Sequence, residues 1–326
     1  MNLYLPENYR PALDVLETQR AIKFIRSAFH HALEHDFGLL RVSAPLFVRT
    51  DSGENDDLNG TERPVCFDVP DIGAEIEIVH SLAKWKRVAL HRYGMRADQG
   101  LFTEMNAIRR DEALDNTHSI YVDQWDWERV IQPHQRTLST LIDTAQHLYT
   151  LLRKLAAEVS AAYNIPHALP PQLHVISHAE LAARYPNADE KTREANICRA
   201  HTAVLLTQIG NDGNRAPDYD DWTMNGDILL HFPLLNSALE ISSMGVRVNA
   251  AALTRQCEAR NAAARLTLPY HQAVLHEKLP QTIGGGLGQS RICQFLLNKA
   301  HIGEVQASIW PQEMRDRCAA AGVVLL

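Results

Sequence analysis

The sequence lacks the cysteine pattern of a disulfide-bonded or zinc-binding protein. Its 326 residues include five cysteines, an odd number, and no two of them form a C-x-x-C pair. Scattered cysteines of this kind are typical of a reducing compartment, where buried thiols pack as small apolar side chains. The five are Cys66, Cys198, Cys257, Cys293 and Cys318.

The sequence also lacks a long apolar run and an excess of positive charge. No window reaches the roughly 18 uncharged apolar residues that a membrane span needs. The first twenty residues carry acidic and basic side chains that a secretory signal peptide does not tolerate. A net charge of −7 argues against nucleic-acid binding through a basic surface. We therefore expect a cytoplasmic enzyme with neither a membrane nor a nucleic-acid partner.

Helical and strand patterns are mixed along the chain. A helix is predicted to begin near Asp14, because Glu17 stands at capping-box spacing and apolar residues then recur every three or four positions. A long helix over 137–163 and a short polar helix over 189–200 are also predicted, with strands at 75–79 and 118–122. Regular crossover helices do not separate the strand segments. The expected fold class is α+β, an antiparallel sheet flanked by helices, in one domain over residues 1–326.

A glycine run, GGGLG at 284–288, leads through Gln289 and Ser290 to Arg291 and an apolar helix. Glycine allows close approach of a flat or anionic ligand, and a helix start adds amide donors. The run matches neither the P-loop nor the dinucleotide fingerprint. It therefore predicts either a tight turn or a nucleotide site, and the arginine behind it favours the second.

Polar residues alternate with tryptophans in the segment DQWDW at 123–127. Alternate residues of a strand share a face, so Gln124 and Asp126 are predicted to line one pocket while the tryptophans pack behind. The alternative is an amphipathic strand with its acids in water.

A cationic segment at 84–87 also has two interpretations. It is either a site for a substrate carboxylate or a solvated helix face.

Carboxylates cluster in the segment APDYDDW at 216–222, with Asp227 beyond it. Such hard ligands near a phosphate site indicate Mg²⁺, although an acidic surface loop is the usual alternative. Glu240 differs because it stands inside an apolar stretch, where an acid usually has a partner or a function. Neither a zinc motif nor a hydrolase nucleophile motif is present.

Ten short motifs follow one another along the chain: RVSAPLFV, NDDLNGTERPV, VHSLAKWKR, MNAIRRDE, HSIYVDQWDWE, RAPDYDDW, NGDIL, ALEISSMGVRV, PQTIGGGLGQSR and HIGEVQ. Taken in this order, they resemble the ammonia-dependent asparagine synthetases (aspartate–ammonia ligases). This family is similar in fold to the catalytic core of class II aminoacyl-tRNA synthetases. The segment ending at Pro45, the strand–loop–strand with Arg109 and the glycine run ending in Arg291 resemble the three signature regions of that core.

The resemblance implies a two-step ligase reaction. The β-carboxylate of L-aspartate attacks the α-phosphorus of ATP, which forms β-aspartyl-adenylate and pyrophosphate, and ammonia then displaces AMP to give L-asparagine. On the nucleotide side Arg109 would bridge the reacting carboxylate and the α-phosphate. The other implied nucleotide ligands are Arg215, Asp227, Glu240, Gly286 and Arg291, with Asp227 and Glu240 holding Mg²⁺.

On the amino-acid side the resemblance implies a site for aspartate and one for ammonium. Lys86 would lie near a substrate carboxylate, and Asp126 would suit the α-ammonium by its charge. Asp56 and Asp220 would receive ammonium and take its proton. The remaining implied residues are Ser81, Gln124 and Ser243.

The chain departs from the family pattern before Arg215. It has TQIGNDGN where the family usually carries a longer glycine-rich loop. Two alternatives therefore stay open: a ligase on the same scaffold that uses another amine such as hydroxylamine, and a non-catalytic relative that senses aspartate or adenylate. The charged pocket residues argue against the sensor. A homodimer joined through the Pro45 region is also expected from the resemblance.

Overall fold

The computed structural model describes residues 3–56, 58, 62–210 and 215–326. The α-helices within these ranges are α1 (Val15–His35), α2 (Ala83–Arg92), α3 (Leu138–Tyr163), α4 (His178–Arg184), α5 (Glu190–His201), α6 (Ala250–Ala259), α7 (Pro269–Leu275), α8 (Gln289–Leu296) and α9 (Gln312–Ala320). The strands are β1 (Leu40–Arg41), β2 (Phe47–Arg49), β3 (Cys66–Val69), β4 (Ala74–Ile78), β5 (Gly100–Ile108), β6 (Tyr121–Val130), β7 (His174–Ser177), β8 (Ala203–Thr207), β9 (Asp220–Phe232), β10 (Ser237–Arg247) and β11 (Thr282–Gly288). These helices lack the combined length and apolar character needed to span a bilayer.

Eight strands form the central sheet, in the order β1-β5-β6-β11-β10-β9-β8-β7. The five inner pairs are antiparallel, whereas β1 pairs with β5 and β7 with β8 in parallel. The expected antiparallel sheet is thus confirmed inside and wrong at both edges. A parallel pair requires a crossover connection, which α4 and α5 provide between β7 and β8. Strands β2, β4 and β3 form a separate small sheet.

One face of the central sheet is apolar and packs against α1 and α3. Trp125 and Trp127 of β6 lie in this core together with Phe29 of α1 and Leu148 of α3. The side chains of β6 alternate between faces, so Gln124, Asp126 and Glu128 point to the other side. The site therefore lies on the face opposite α1 and α3.

The predicted helices are confirmed with small shifts at their ends. Helix α1 begins at Val15, and the carboxylate of its N-cap, Asp14, accepts the Glu17 amide at 2.8 Å. Helices α3 and α5 match the predicted spans. The strand predicted at 118–122 starts only at Tyr121, because residues 115–118 form a hydrogen-bonded turn. Residues 211–214 of the shortened segment, and 57 and 59–61 in the NDDLNGTERPV motif, lie outside the described residues.

The glycine run is not a turn but strand β11, between β6 and β10. Its glycines leave room for polar side chains of the neighbouring strands. A Cβ atom at Gly284 would stand 2.5 Å from Cδ of Glu128, and one at Gly286 would stand 2.8 Å from Cδ of Gln124. The absence of a side chain at these glycines therefore allows Glu128 and Gln124 of β6 to stand above the sheet.

Candidate active site

A polar cavity of about 340 Å³ opens on the second face of the sheet. All the predicted site residues line it except Lys86 and Asp227, which lie directly behind lining residues. The strands bring these residues together from segments almost 240 positions apart in the chain. The predicted residues in the lining are Asp56, Ser81, Arg109, Gln124, Asp126, Arg215, Asp220, Glu240, Ser243, Gly286 and Arg291.

Two predicted arginines face the cavity from different segments. Arg109 directly follows β5, and its backbone amide donates to Ile120 O at 2.8 Å. Its Nε is buried without a hydrogen-bond partner among the residues that the structure describes. Arg291, in the first turn of α8, donates to the backbone oxygen of Glu240 at 3.0 Å. A buried guanidinium nitrogen without a partner is costly, so an anion that accepts from Arg109 fits this position.

Acidic side chains from β9 and β10 surround the third arginine. Arg215 forms a short ion pair with Asp227 and donates to Ser243 Oγ at 3.3 Å. Burial raises the pKa of Asp227 to about 6, although Arg215 opposes this. Asp227 Oδ1 is buried without a hydrogen-bond partner in the described ranges, and Glu240 Oε1 lies 3.6 Å from Arg291.

The carboxylates of Asp227 and Glu240 are the type of ligand that a hydrated Mg²⁺ binds. Mg²⁺ prefers oxygen ligands and is usually bound by one or two carboxylates together with substrate phosphates and water. The unpartnered Oδ1 of Asp227 and the carboxylate of Glu240 supply such ligands. In the described part of the chain, no three acidic, histidine or cysteine side chains converge as a metal cage. The cation would thus depend on the nucleotide for its other ligands.

Two carboxylates flank the segment that leads into α2. Asp56 accepts from Ser81 Oγ and from the Leu58 amide, both at 2.8 Å. Asp126 accepts from the Leu82 amide at 3.0 Å. Burial raises the pKa of Asp56, so this carboxyl group holds a proton more readily than an exposed aspartate.

Lys86 lies beneath the cavity floor. Its ammonium donates to Asp126 Oδ1 at 2.5 Å, to Trp127 O at 2.9 Å and to Gly285 O at 3.1 Å. These contacts use the three protons of the group, so its hydrogen bonds hold the floor in place. Lys84 and Arg87 are buried as well, which makes a solvated face at 84–87 wrong.

Glu128 and Arg247 form a buried ion pair that the sequence analysis did not assign. Arg247 binds Glu128 through Nε at 3.0 Å and Nη2 at 2.7 Å, and Asp220 through Nη1 at 2.5 Å. With Lys86 and Asp126, this cluster holds three carboxylates and two cations. The remaining negative charge favours a cationic ligand at this end of the cavity.

The missed residues had weak sequence signals. Glu128 continues the alternation of Gln124 and Asp126, so the period of two could have identified it. Arg247 is a single charge between valines and has no pattern of its own. Glu194 of α5 does not line the cavity, but burial and the nearby Asp227 raise its pKa to about 8, and its polar helix gives no sequence signal for this.

Over almost its whole length the chain is similar to aspartate–ammonia ligases. The model of the aspartate–ammonia ligase family matches residues 16–322. The aspartate–ammonia ligase of Levilactobacillus brevis is 52% identical, with 100% of both chains covered. The enzyme of the same name from Clostridium perfringens is 49% identical, with 99% of each chain covered.

Solved structures extend the likeness to the class II fold. An asparaginyl-tRNA synthetase of Entamoeba histolytica in complex with asparaginyl-adenylate has a TM-score of 0.69 at 12% identity, covering 90% of this chain and 66% of that one. The complex of the Pyrococcus horikoshii enzyme has a TM-score of 0.70 at 14% identity, with 91% and 70% covered. These likenesses confirm the predicted synthetase-like fold, and the sequence relatives confirm the predicted family. The chain belongs to the aspartate–ammonia ligase family.

Proposed function

We propose that the protein is an ATP-dependent ligase that converts L-aspartate and ammonia to L-asparagine through β-aspartyl-adenylate. Family membership and relatives named aspartate–ammonia ligase over their whole length support the overall reaction. The observation that carries the mechanism is the unpartnered guanidinium nitrogen of Arg109 in a cavity that also contains Arg291 and a surplus of acids. Such a cavity suits one polyanion beside one amino acid.

In the first step an oxygen of the aspartate β-carboxylate attacks the α-phosphorus of ATP, and the bond to pyrophosphate breaks. Two anions must be held together while negative charge develops on the phosphate oxygens. Arg109 bridges the carboxylate and the α-phosphate, Arg291 caps the nucleotide beside Gly286, and Arg215 holds the distal phosphates. Positively charged donors fixed in a closed site lower this barrier by positioning and electrostatic stabilisation.

Mg²⁺ would neutralise phosphate charge at the same end of the cavity when it is bound. Asp227 and Glu240 are its proposed ligands. Since Arg215 pairs with Asp227 in the structure, the binding of nucleotide with its cation requires this pair to open. Arg215 is then free to contact the phosphates.

The amino-acid end of the cavity is proposed to bind the α-ammonium of aspartate through Asp126. Gln124, Ser81 and Ser243 offer hydrogen bonds to the rest of the substrate. Lys86 lies beneath Asp126 and holds it in place, and the net negative charge of this floor suits the ammonium end of the substrate.

In the second step the nitrogen of ammonia attacks the acyl carbon, and the bond to AMP breaks. Ammonium must first lose one proton, and the nitrogen loses another as the amide forms. Asp56 and Asp220 are the proposed acceptors, because both are buried in the cavity wall and burial raises the pKa of each carboxyl group. A carboxylate with a raised pKa accepts a proton more readily.

Several wider features belong to the same proposal. A homodimer joined near Pro45 is supported by the exposed apolar side chains of Leu40, Leu46 and Phe47. A cytoplasmic location is supported by the free cysteines, of which Cys66 alone is exposed. One catalytic domain over residues 1–326 is supported by a central sheet whose strands come from positions 40 to 288.

Exchange of labelled pyrophosphate into ATP tests the first step by itself. Arg109→Ala is expected to lower aspartate-dependent exchange by about a hundredfold or more, which is the usual effect of removing one donor to a developing negative charge. The neighbouring exposed arginine offers a matched control, and Arg110→Ala is expected to keep exchange within about twofold. Near-normal exchange in Arg109→Ala would contradict the proposed adenylation site.

A further inference from the structure

Asp123 is a buried carboxylate that belongs to the cavity lining but has no part in the reaction proposed above. Asp123 stands two positions before Trp125 on β6 and shares the core-facing side of that strand. Only 4% of the residue is exposed. An ionised carboxylate in such a position is costly unless it is paired and hydrogen-bonded.

Four donors from three different segments satisfy this carboxylate. Asp123 Oδ1 accepts from the Ser290 amide at 3.0 Å and from Gln306 Nε2 at 3.4 Å. Oδ2 accepts from Ser290 Oγ at 2.8 Å and forms a short ion pair with Arg26 of α1. Gln306 also donates to Ser290 Oγ at 3.0 Å, which closes the network.

The network replaces the missing cap of helix α8. The first amides of a helix have no partner within the helix and need an acceptor. The N-cap residue of α8 is Gly288, which has no side chain to accept from them. Asp123 accepts the Ser290 amide from the adjacent strand instead, and its negative charge at a helix N-terminus is favourable.

Arg291 follows Ser290 directly and points in the opposite direction, into the cavity. Its guanidinium donates to the backbone oxygens of Glu240 and Thr117 at 3.0 and 3.4 Å. Asp123 and Arg291 are therefore connected through the first turn of α8, which Asp123 caps. Gly288 pairs in the sheet with Gln124, the neighbour of Asp123, so the strand and the helix start form one unit.

We propose that Asp123 is a positioning residue for Arg291: it caps α8 from β6 and thereby sets where the Arg291 guanidinium meets the nucleotide. The proposal rests on the function proposed above, in which Arg291 binds ATP. A purely structural role would lower stability without singling out one substrate. A positioning role weakens ATP binding and leaves aspartate binding nearly unchanged.

The test compares Asp123→Asn with a matched variant, Asp221→Asn. Asp221 is also a buried carboxylate that accepts from an arginine, an amide and a hydroxyl group, but it does not line the cavity. Asp123→Asn is expected to raise the KM for ATP in pyrophosphate exchange by about tenfold, less than the roughly hundredfold that a 1 Å misplacement of a catalytic group can cost. The KM for aspartate is expected to stay within about twofold, and Asp221→Asn to keep both KM values within that range.

The variant Arg291→Ala tests the nucleotide role of Arg291 and the positioning role of Asp123 separately. If Arg291→Ala leaves the KM for ATP unchanged, the proposed nucleotide role of Arg291 is wrong. If it raises that KM, Asp123→Asn in the Arg291→Ala background is expected to add less than about twofold, because coupled residues are not additive. An equal effect of Asp123→Asn in both backgrounds would overturn the positioning role.

A second variant covers the case in which Asp123→Asn does not fold. Arg26 is partly exposed, so Arg26→Met removes the charged partner of Asp123 at lower risk to the core. It is expected to raise the KM for ATP by about threefold and to lose this effect in the Arg291→Ala background. Equal changes in the KM values for ATP and aspartate, or no change in either, would overturn the proposal.

Discussion

Replacement of Gly284 by alanine is expected to unfold the protein at a markedly lower urea concentration. A Cβ atom at this position would stand 2.5 Å from Cδ of Glu128 and 2.7 Å from Nη2 of Arg247. Both side chains are fully buried and bound to each other, so neither can swing into solvent. The added methyl group must therefore separate the ion pair or push the strands apart.

The size of the effect follows from what the methyl group displaces. Separating a buried ion pair costs about 3–5 kcal/mol, and overpacking a core costs about 1–3 kcal/mol. We expect Gly284→Ala to lose about 3 kcal/mol. With an m value of about 3 kcal/mol per M, this loss lowers the urea midpoint by about 1 M.

Gly288, in the same strand, provides the control. Its added Cβ would meet no atom closer than 3.3 Å, and its backbone conformation is one that alanine adopts. Gly288→Ala is expected to change the free energy of unfolding by less than about 1 kcal/mol. Unfolding followed by tryptophan fluorescence measures both variants.

A second measurement identifies the cause. Glu128→Ala removes the atoms that the methyl group would meet, so Gly284→Ala should cost less than about half as much in that background. Equal urea midpoints for Gly284→Ala and Gly288→Ala would refute the reasoning. If the losses of unfolding free energy in Gly284→Ala and Glu128→Ala simply add in the double variant, the methyl group does not act by displacing the ion pair.

Three further predictions concern acids in the cavity wall or near it. Asp56→Asn is expected to raise the KM for ammonium by about tenfold and to keep aspartate-dependent pyrophosphate exchange within about twofold, because exchange needs no amine; an equal loss of exchange would contradict this role. EDTA is expected to abolish pyrophosphate exchange. Asp227→Asn is expected to raise the Mg²⁺ concentration for half-maximal exchange severalfold. If this concentration does not change, Asp227 is not a ligand of the metal. The pKa of Glu194 rises from the usual 4.5 to about 8 on folding, so its contribution to stability is present below pH 4.5 and lost as the pH rises through 8. Glu194→Gln should therefore increase Tm more at pH 8.5 than at pH 5. A larger increase at pH 5 would contradict the predicted direction of the pH dependence.

Local patterns were sufficient for several elements. The start of α1 depends on a cap and an apolar stripe within a few residues of each other, and both are readable from neighbouring positions. The same holds for α3, whose apolar stripe runs through its whole length. The two faces of β6 also follow from the sequence, since tryptophans alternate with polar residues.

The sequence by itself determined the family and the set of polar residues that meet in the cavity, because short motifs in a given order carry that information without coordinates. Only the tertiary structure decided how these residues pair. The glycine run is a strand because β6 and β10 lie on either side of it, and its missing side chains make room for Glu128 and Arg247. Burial of Lys86 and the capping of α8 by Asp123 likewise depend on segments that are far apart in the chain. Such pairings follow from strand register and helix packing, which no local pattern of residue types encodes.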